Sequence, residues 1–184
     1  MKKTCLAFVI VFASLAVVGS APAGMSMRHE ISSANGFGNG PAQTRVRPCL
    51  REDLKIKEGE TDAAMGGVRV TPYIFTNVSS SACTLIGYPA LDLLSHTGAV
   101  VRRATRQKLD RPDSAATLEP GKTGWFNLHY NSGGAGRVGR PCPSYQKLRV
   151  TAPRLARPFI LRTDIQTCAK TDFEVNPISS GMPQ

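Results

Sequence analysis

From residue 53 onward, apolar and polar residues alternate along the chain in a series of short runs. The longest are residues 68–77, which are rich in β-branched and aromatic side chains, and residues 123–130. Side chains of a β-strand point alternately to its two faces, so this alternation is typical of strands with one buried face. Shorter runs of the same kind lie at residues 53–57, 83–88, 91–93, 116–118, 148–150, 159–161 and 173–175.

Turn-forming residues separate these runs at near-regular spacing, and no long stretch beyond the N-terminus has a helical apolar period. The turn signals are Gly66-Gly67, Ser79-Ser80-Ser81, Thr97-Gly98, Pro120-Gly121 and Asn131-Ser132-Gly133-Gly134. Many short strands with turns between them predict an all-β fold, either a sandwich or a barrel.

Two features of the sequence modify the predicted arrangement of strands and turns. Pro72 lies inside the run 68–77, and proline cannot donate a hydrogen bond to a central ladder, so we expect an edge or a bulge there. The segments 102–112 and 133–143 are polar, basic or rich in glycine. We predict that both are loops.

The first residues have the pattern of an export signal. Lys2 and Lys3 precede an apolar run at residues 6–18, and the small residues Ala21-Pro22-Ala23 suit signal peptidase. The run is shorter than the roughly 20 residues of a membrane span, although an uncleaved anchor helix is the alternative. We predict a signal peptide at residues 1–23, an exported protein that is secreted or periplasmic, and no transmembrane span after cleavage. No cysteine closely follows the run, so no lipid anchor is expected.

Residues 24–48 are rich in Gly, Ser, Asn and Pro, which predicts a flexible leader before a single β-domain at residues 49–184. Met25, Met27 and His29 lie close together in this leader. Thioether and imidazole groups can bind Cu(I), but an ordinary disordered terminus is the preferred explanation, so these residues are weak metal candidates. No cofactor is predicted.

Four cysteines remain after the signal: Cys49, Cys83, Cys142 and Cys168. An even number in an exported chain predicts two disulfides. Four cysteines allow three pairings, and the sequence alone does not choose among them. We prefer the local pairs Cys49–Cys83 and Cys142–Cys168. A four-cysteine zinc site needs closely spaced cysteine pairs, which this chain lacks.

The order of these features resembles a known bacterial family. Phe75-Thr76-Asn77 is followed by Cys83-Thr84-Leu85-Ile86-Gly87-Tyr88-Pro89, and Leu118-Glu119-Pro120-Gly121 comes before the strand at residues 123–130. This series resembles domain-of-unknown-function family 4232, over about residues 49–177. The resemblance implies an exported or envelope-attached protein and an immunoglobulin-like β-sandwich of short antiparallel strands. It implies no catalytic residues.

The residues offer little support for catalysis. There is no Gly-x-Ser-x-Gly nucleophile elbow and no phosphate-binding glycine loop followed by lysine. We therefore predict a non-catalytic binding or structural module of the envelope or the extracellular space, with an unknown ligand. The alternative is a hydrolase assembled from loops that uses His96 in a turn or His129 on a strand.

The chain is strongly basic, with 23 Lys and Arg against 13 Asp and Glu and a net charge of +10. Such a charge is also normal for solubility. If it serves binding, we expect partners such as anionic envelope polymers, lipid head groups or acidic proteins, and no nucleic acid. The candidate anion-contacting residues are Arg102, Arg103, Arg106, Arg137 and Arg140.

Overall fold

The computed structural model describes residues 46–109, 115–133, 141–168 and 171–183, and these residues form thirteen β-strands, one 3₁₀ turn at Met65–Gly67 and no α-helix. The prediction of an all-β fold is confirmed. In chain order the strands are β1 (Leu54–Glu58), β2 (Asp62–Ala63), β3 (Val68–Asn77), β4 (Cys83–Ile86), β5 (Ala90–Leu94), β6 (Val100–Arg103), β7 (Thr105–Arg106), β8 (Ala115–Leu118), β9 (Thr123–Asn131), β10 (Ser144–Thr151), β11 (Phe159–Gln166), β12 (Phe173–Val175) and β13 (Ser179–Ser180).

The strands form two sheets and a ribbon. The large sheet has the order β1-β3-β9-β12-β7, with β2 beside β3 and β13 beside β9. The small sheet has the order β11-β10-β5-β6, and β4 pairs with β8 in the ribbon. Of the pairs formed by these strands, that of β12 with β7 is parallel and the others are antiparallel.

The core lies between the inner faces of the two sheets. Alternate residues of β9 are buried, including Phe126 and Leu128, and Leu148 and Val150 of β10 are buried in the same cluster. Phe75 and Phe159, one from each sheet, have ring centroids 5.8 Å apart. The alternation seen in the sequence therefore has its expected cause, and the architecture is sandwich-like.

Pro72 lies within an interior strand, because β3 has β1 on one side and β9 on the other. The backbone N and O of a strand residue point to the same side, and the Pro72 carbonyl accepts a hydrogen bond from Gly59 N at 2.7 Å. The missing N–H of Pro72 therefore faces the gap between Glu58, the last residue of β1, and Asp62, the first of β2. The predicted edge exists locally, since the partner strand is interrupted there.

Both disulfides close local loops. Cys49 is bonded to Cys83, and Cys142 is bonded to Cys168. The first joins the start of the domain to β4, where Cys49 N also donates to Thr84 O at 3.0 Å. The second joins the segment before β10 to the end of β11. Two disulfides were predicted, and these are the two local pairs.

The predicted loop at residues 102–112 is wrong in its first part, because β6 and β7 extend through Arg106. Val100 and Val101 begin a strand that pairs with β5, and the charged residues of this strand concealed it in the sequence.

The start of the domain also differs from the prediction. Arg47 and Pro48 were assigned to the leader, yet Thr84 N donates to Arg47 O at 2.9 Å. The domain thus begins before Cys49.

Several sequence-based predictions fall outside the described residues: the signal peptide, the leader up to residue 45, Met25, Met27, His29, Arg137 and Arg140. Within the described ranges, no helix has the length and apolar character that a membrane crossing requires.

Candidate functional site

Arg102, one of the predicted anion-contacting residues, faces inward. Its guanidinium donates to Thr167 Oγ1 at 3.1 Å and to the Cys168 carbonyl at 2.7 Å, and it also donates to the Thr171 carbonyl. It lies 5.0 Å from the ring centroid of Phe173. Burial lowers the pKa of Arg102 from its usual value. Arg102 therefore ties β6 to the loop after β11 and offers few donors to an external anion.

Arg106 lies at the edge of the large sheet, where β7 ends. Its guanidinium carbon is 5.4 Å from the ring centroid of Tyr88, and the Tyr88 hydroxyl donates to the Gln107 carbonyl at 2.9 Å. This contact fixes the tyrosine of the segment at residues 83–89 against the neighbouring strand. Arg106 thus belongs to the large sheet, whereas Arg103 belongs to the small sheet.

The small sheet carries a cluster of cations on its outer face, which we call the basic face. Lys147 of β10 pairs directly with Arg162 of β11, and Arg149 lies two residues further along β10 on the same face. Arg149 is also opposite Asp92 of β5, which in turn is opposite Arg103 of β6. The basic face therefore consists of Arg103, Lys147, Arg149 and Arg162, drawn from three strands.

One carboxylate lies in the middle of this cluster. Asp92 Oδ2 accepts hydrogen bonds from Arg149 Nε at 3.0 Å and Nη2 at 2.7 Å, while its Oδ1 lies 3.1 Å from Arg103 Nε. The Asp92 side chain is 12% exposed and that of Arg103 is 76% exposed. Asp164, two residues from Arg162 on the same side of β11, is a second carboxylate at the end of the cluster. Two carboxylates against four cations leave the face with an excess of positive charge.

Apolar side chains flank the cations on the same face. Ile160 is opposite Arg149 in the β10–β11 pair and is 57% exposed. Val100 lies on β6, the edge strand opposite β11, where it pairs with Leu94, and it is 39% exposed. The face thus combines cations with exposed aliphatic groups.

Sequence reasoning identified only Arg103 of the four cations as a candidate, because it looked for clustering along the chain. The alternation of Lys147 and Arg149 with the buried Leu148 and Val150 was a usable signal, since it places both cations on one face. Pairing with Arg162 could not be read from the sequence.

The two histidines of the hydrolase alternative lie on different sheets. His96 is exposed in the turn between β5 and β6, and His129 lies on the outer face of the large sheet, opposite Glu174. Burial lowers the pKa of His129, although the charge of Glu174 opposes this effect. Neither imidazole forms a hydrogen bond with a side chain of the described residues. Each histidine was a separate candidate base, and they lie at different places in the fold.

Comparison with known proteins identifies one family. A family model described as a domain of unknown function (DUF4232) matches residues 49–179. The matched range includes both disulfides and every cation of the basic face. No curated protein shows a significant match to the chain.

Proposed function

Because the chain belongs to the DUF4232 family, whose function is unknown, we propose a role from its geometry: an exported, non-catalytic binding module that docks onto an anionic membrane surface through the basic face. The observation that carries this proposal is the convergence of Arg103, Lys147, Arg149 and Arg162 on one sheet face, where they outnumber the carboxylates.

The shape of the basic face favours a lipid surface over other anionic partners. Cations on neighbouring strands are separated by about 5 Å, and residues two apart on one strand by about 7 Å, which suits an array of phosphate head groups. Ile160 and Val100, exposed among these cations, add aliphatic groups that can enter the boundary between head groups and acyl chains. A soluble acidic polymer would gain little from these two residues.

Export is supported by the cysteines and by the N-terminal pattern. Disulfides form and persist in oxidising compartments, and this domain contains two, with Cys49 and Cys83 almost fully buried. Residues 1–23 have the charge, apolar run and small residues of a cleavable signal. The domain would then meet a membrane from its outer side.

A non-catalytic role is supported by the placement of the histidines. A hydrolase requires a nucleophile, a base and an orienting group within hydrogen-bond reach. His96 and His129 lie on different sheets, and in the described residues each lacks a hydrogen-bonded hydroxyl or carboxylate. No specific observation favours the loop-assembled hydrolase, so we do not propose it as a second function.

The test is cosedimentation of the mature chain, residues 24–184, with vesicles of phosphatidylglycerol and phosphatidylcholine in equal parts. The variant Lys147→Gln/Arg162→Gln removes two exposed cations of the basic face. A basic residue near an anionic membrane contributes about 1 kcal/mol to binding, so this variant should bind roughly tenfold or more weakly. Raising the salt concentration from about 50 to about 500 mM should weaken wild-type binding strongly.

The matched control is Lys55→Gln/Lys57→Gln, which removes two exposed cations from the outer face of the large sheet. Its binding should stay close to that of the wild type. An equal loss in both variants would show that net charge, and not the basic face, determines binding. Absence of vesicle binding, or stronger retention on polyphosphate than on vesicles, would refute the membrane as the partner.

A further inference from the structure

A polar surface cavity of about 440 Å³ is lined by residues of both sheets. The large sheet contributes Arg69 and Tyr130, and Thr61 lies directly before β2. The small sheet contributes Ser144, Asp164 and Gln166. Small-molecule sites have volumes of about 300 to 1,000 Å³. The cavity is therefore large enough for a small ligand, and Asp164 places it beside the Arg162 end of the basic face.

The interior beneath this cavity is unusually polar for a sandwich core. Along the inner face of β3 the side chains are, in order from the cavity, Arg69, Thr71, Tyr73 and Phe75. Thr71 is fully buried, and its hydroxyl is hydrogen-bonded to that of Thr61 at 2.8 Å. The core becomes fully apolar only at Phe75. Polar groups thus extend from the cavity into the sandwich by three inward positions.

Three oxygen atoms are buried close together at this depth: the Tyr73 hydroxyl, Glu58 Oε2 and Thr163 Oγ1. Tyr73 is fully buried, and its pKa is raised above the usual value by burial and further by the carboxylate of Glu58. Buried polar groups are nearly always paired. These three groups lie next to one another, so the polar character of the cavity continues into this end of the core.

Two opposite charges line the cavity from facing sheets. Arg69 Nε donates to Ser132 Oγ at 3.4 Å, and Asp164 Oδ1 accepts from Ser144 Oγ at 2.5 Å. The Nη groups of Arg69 and the Oδ2 atom of Asp164 form no hydrogen bond with described residues. Each charge is thus oriented by a serine and keeps bonding capacity for a ligand.

We propose that this cavity binds a small zwitterion, with a carboxylate at Arg69 and an ammonium group at Asp164. Arginine presents a planar fork that matches a carboxylate. The hydroxyl of Thr61 and the amide of Gln166 can pair with a peptide group between the two charged ends. The ligand class is therefore a free amino acid or a short peptide with both termini uncapped.

This site borders the basic face, because Asp164 projects from the same side of β11 as Arg162, but its lining residues are not those of the proposed membrane docking. Arg103→Gln, which removes a cation of the basic face three strands away from β11, should leave zwitterion binding unchanged. Removing Arg69 should leave vesicle binding to the basic face largely unchanged. The two proposals can fail independently.

The test is an NMR titration of the mature chain with alanyl-alanine, its N-acetylated form and its C-terminal amide. We expect alanyl-alanine to shift the amide signals of Tyr130 and Ser132 and to bind about tenfold more tightly than either capped form. Arg69→Gln should weaken the binding of alanyl-alanine about tenfold. It should change the binding of the C-terminal amide little, because that form lacks the carboxylate. Asp164→Asn should likewise weaken the binding of alanyl-alanine about tenfold. It should change the binding of the N-acetylated form little, because that form lacks the ammonium group.

Arg157→Gln is the control, because Arg157 is exposed and pairs with Glu52, away from the lining residues. It should bind all three ligands as the wild type does. The comparison of capped and uncapped ligands uses the wild-type protein, so it decides the proposal even if a variant fails to fold. Absence of binding up to about 10 mM, equal binding of all three ligands, or full binding by Arg69→Gln/Asp164→Asn would refute it.

Discussion

The guanidinium of Arg47 donates two hydrogen bonds to the carboxylate of Asp53, at 2.6 Å and 3.0 Å. The backbone N–H of Leu50 donates a third to the same carboxylate at 2.6 Å. The Asp53 side chain is only 7% exposed. This cluster fastens the segment before the first disulfide to the start of β1, so the folded domain includes a residue that the sequence had assigned to the leader.

The Arg47–Asp53 pair predicts a component of acid sensitivity. The hydrogen bond from Arg47 is the main cause that lowers the pKa of Asp53. The carboxylate therefore stabilises the fold fully above its unfolded pKa of about 4, and this contribution is lost as the pH falls through the lower folded pKa. Asp53→Asn should lower the unfolding free energy by about 1–2 kcal/mol at pH 7. Urea denaturation at pH 7 and at acid pH measures both effects.

The variant should also lose less stability than the wild type on acidification, since the titrating group is absent. Glu52→Gln is the control, because Glu52 is exposed and adjacent in sequence. If Asp53→Asn and wild type lose stability equally in acid, the pair makes no contribution to the pH dependence.

Asn77, the last residue of β3, should tolerate no change of its amide. It is fully buried, and its Nδ2 donates to the carbonyls of Ser81 and Leu118, both at 2.8 Å. Its Oδ1 accepts from Ser79 N at 3.0 Å. Asn77→Asp replaces the donor by a carboxylate facing two carbonyls. We expect a loss of about 3 kcal/mol or more at neutral pH, with partial recovery in acid, where a protonated carboxyl can donate one bond.

Chemical denaturation across a pH series tests this prediction. Asn127→Asp is the control, since Asn127 lies half-buried on the outer face of β9. Similar losses for the two variants would argue against a special role of the Asn77 amide.

Gly59 is required by the proline opposite it. A Cβ atom on Gly59 would lie 2.9 Å from Pro72 Cγ and 3.2 Å from Pro72 O. The rigid ring and the backbone have little room to move, so Gly59→Ala should cost about 1–2 kcal/mol. The double variant Gly59→Ala/Pro72→Ala lacks the clashing ring atom. In a double-mutant cycle, Gly59→Ala should lower the unfolding free energy less when Pro72 is already alanine. Strictly additive losses of the two single variants would refute the contact.

The disulfides should contribute comparably to stability. The bonded cysteines are 34 residues apart in Cys49–Cys83 and 26 apart in Cys142–Cys168. Loops of these lengths predict about 3–4 kcal/mol for each bond. Replacing each pair by alanine and measuring unfolding tests the magnitudes. Mass spectrometry of peptides from the unreduced protein tests the pairing, and a peptide joining Cys49 to Cys142 or Cys168 would contradict it.

Asp92→Asn should separate membrane binding from stability. It removes the one carboxylate that holds Arg149 and Arg103, so the positive charge of the basic face increases. Vesicle affinity should rise several-fold, in line with about 1 kcal/mol for each added charge, while the unfolding free energy should fall by about 1–3 kcal/mol. Cosedimentation and urea denaturation of one preparation measure both. A parallel fall of affinity and stability would contradict the proposed role of the basic face.

The strands could be predicted where one face is buried, because local alternation records that burial directly. The prediction for β3 matches its observed bounds, Val68–Asn77. β6 was missed because Arg102 occupies an inward position and carries its charge out to the loop at Cys168 and Thr171. An inward arginine breaks the pattern on which such predictions depend.

The all-β class, the presence of two disulfides and most of the strands follow from the sequence, since these depend on neighbouring residues and on cysteine number. The tertiary structure decided which residues share a surface. Arg103, Arg149 and Arg162 come from separate strands, and only the order β11-β10-β5-β6 places them together. The cavity between Arg69 and Asp164 likewise exists because two sheets face each other. Side-chain alternation is a local property, whereas strand pairing and sheet packing join residues that are far apart in the chain.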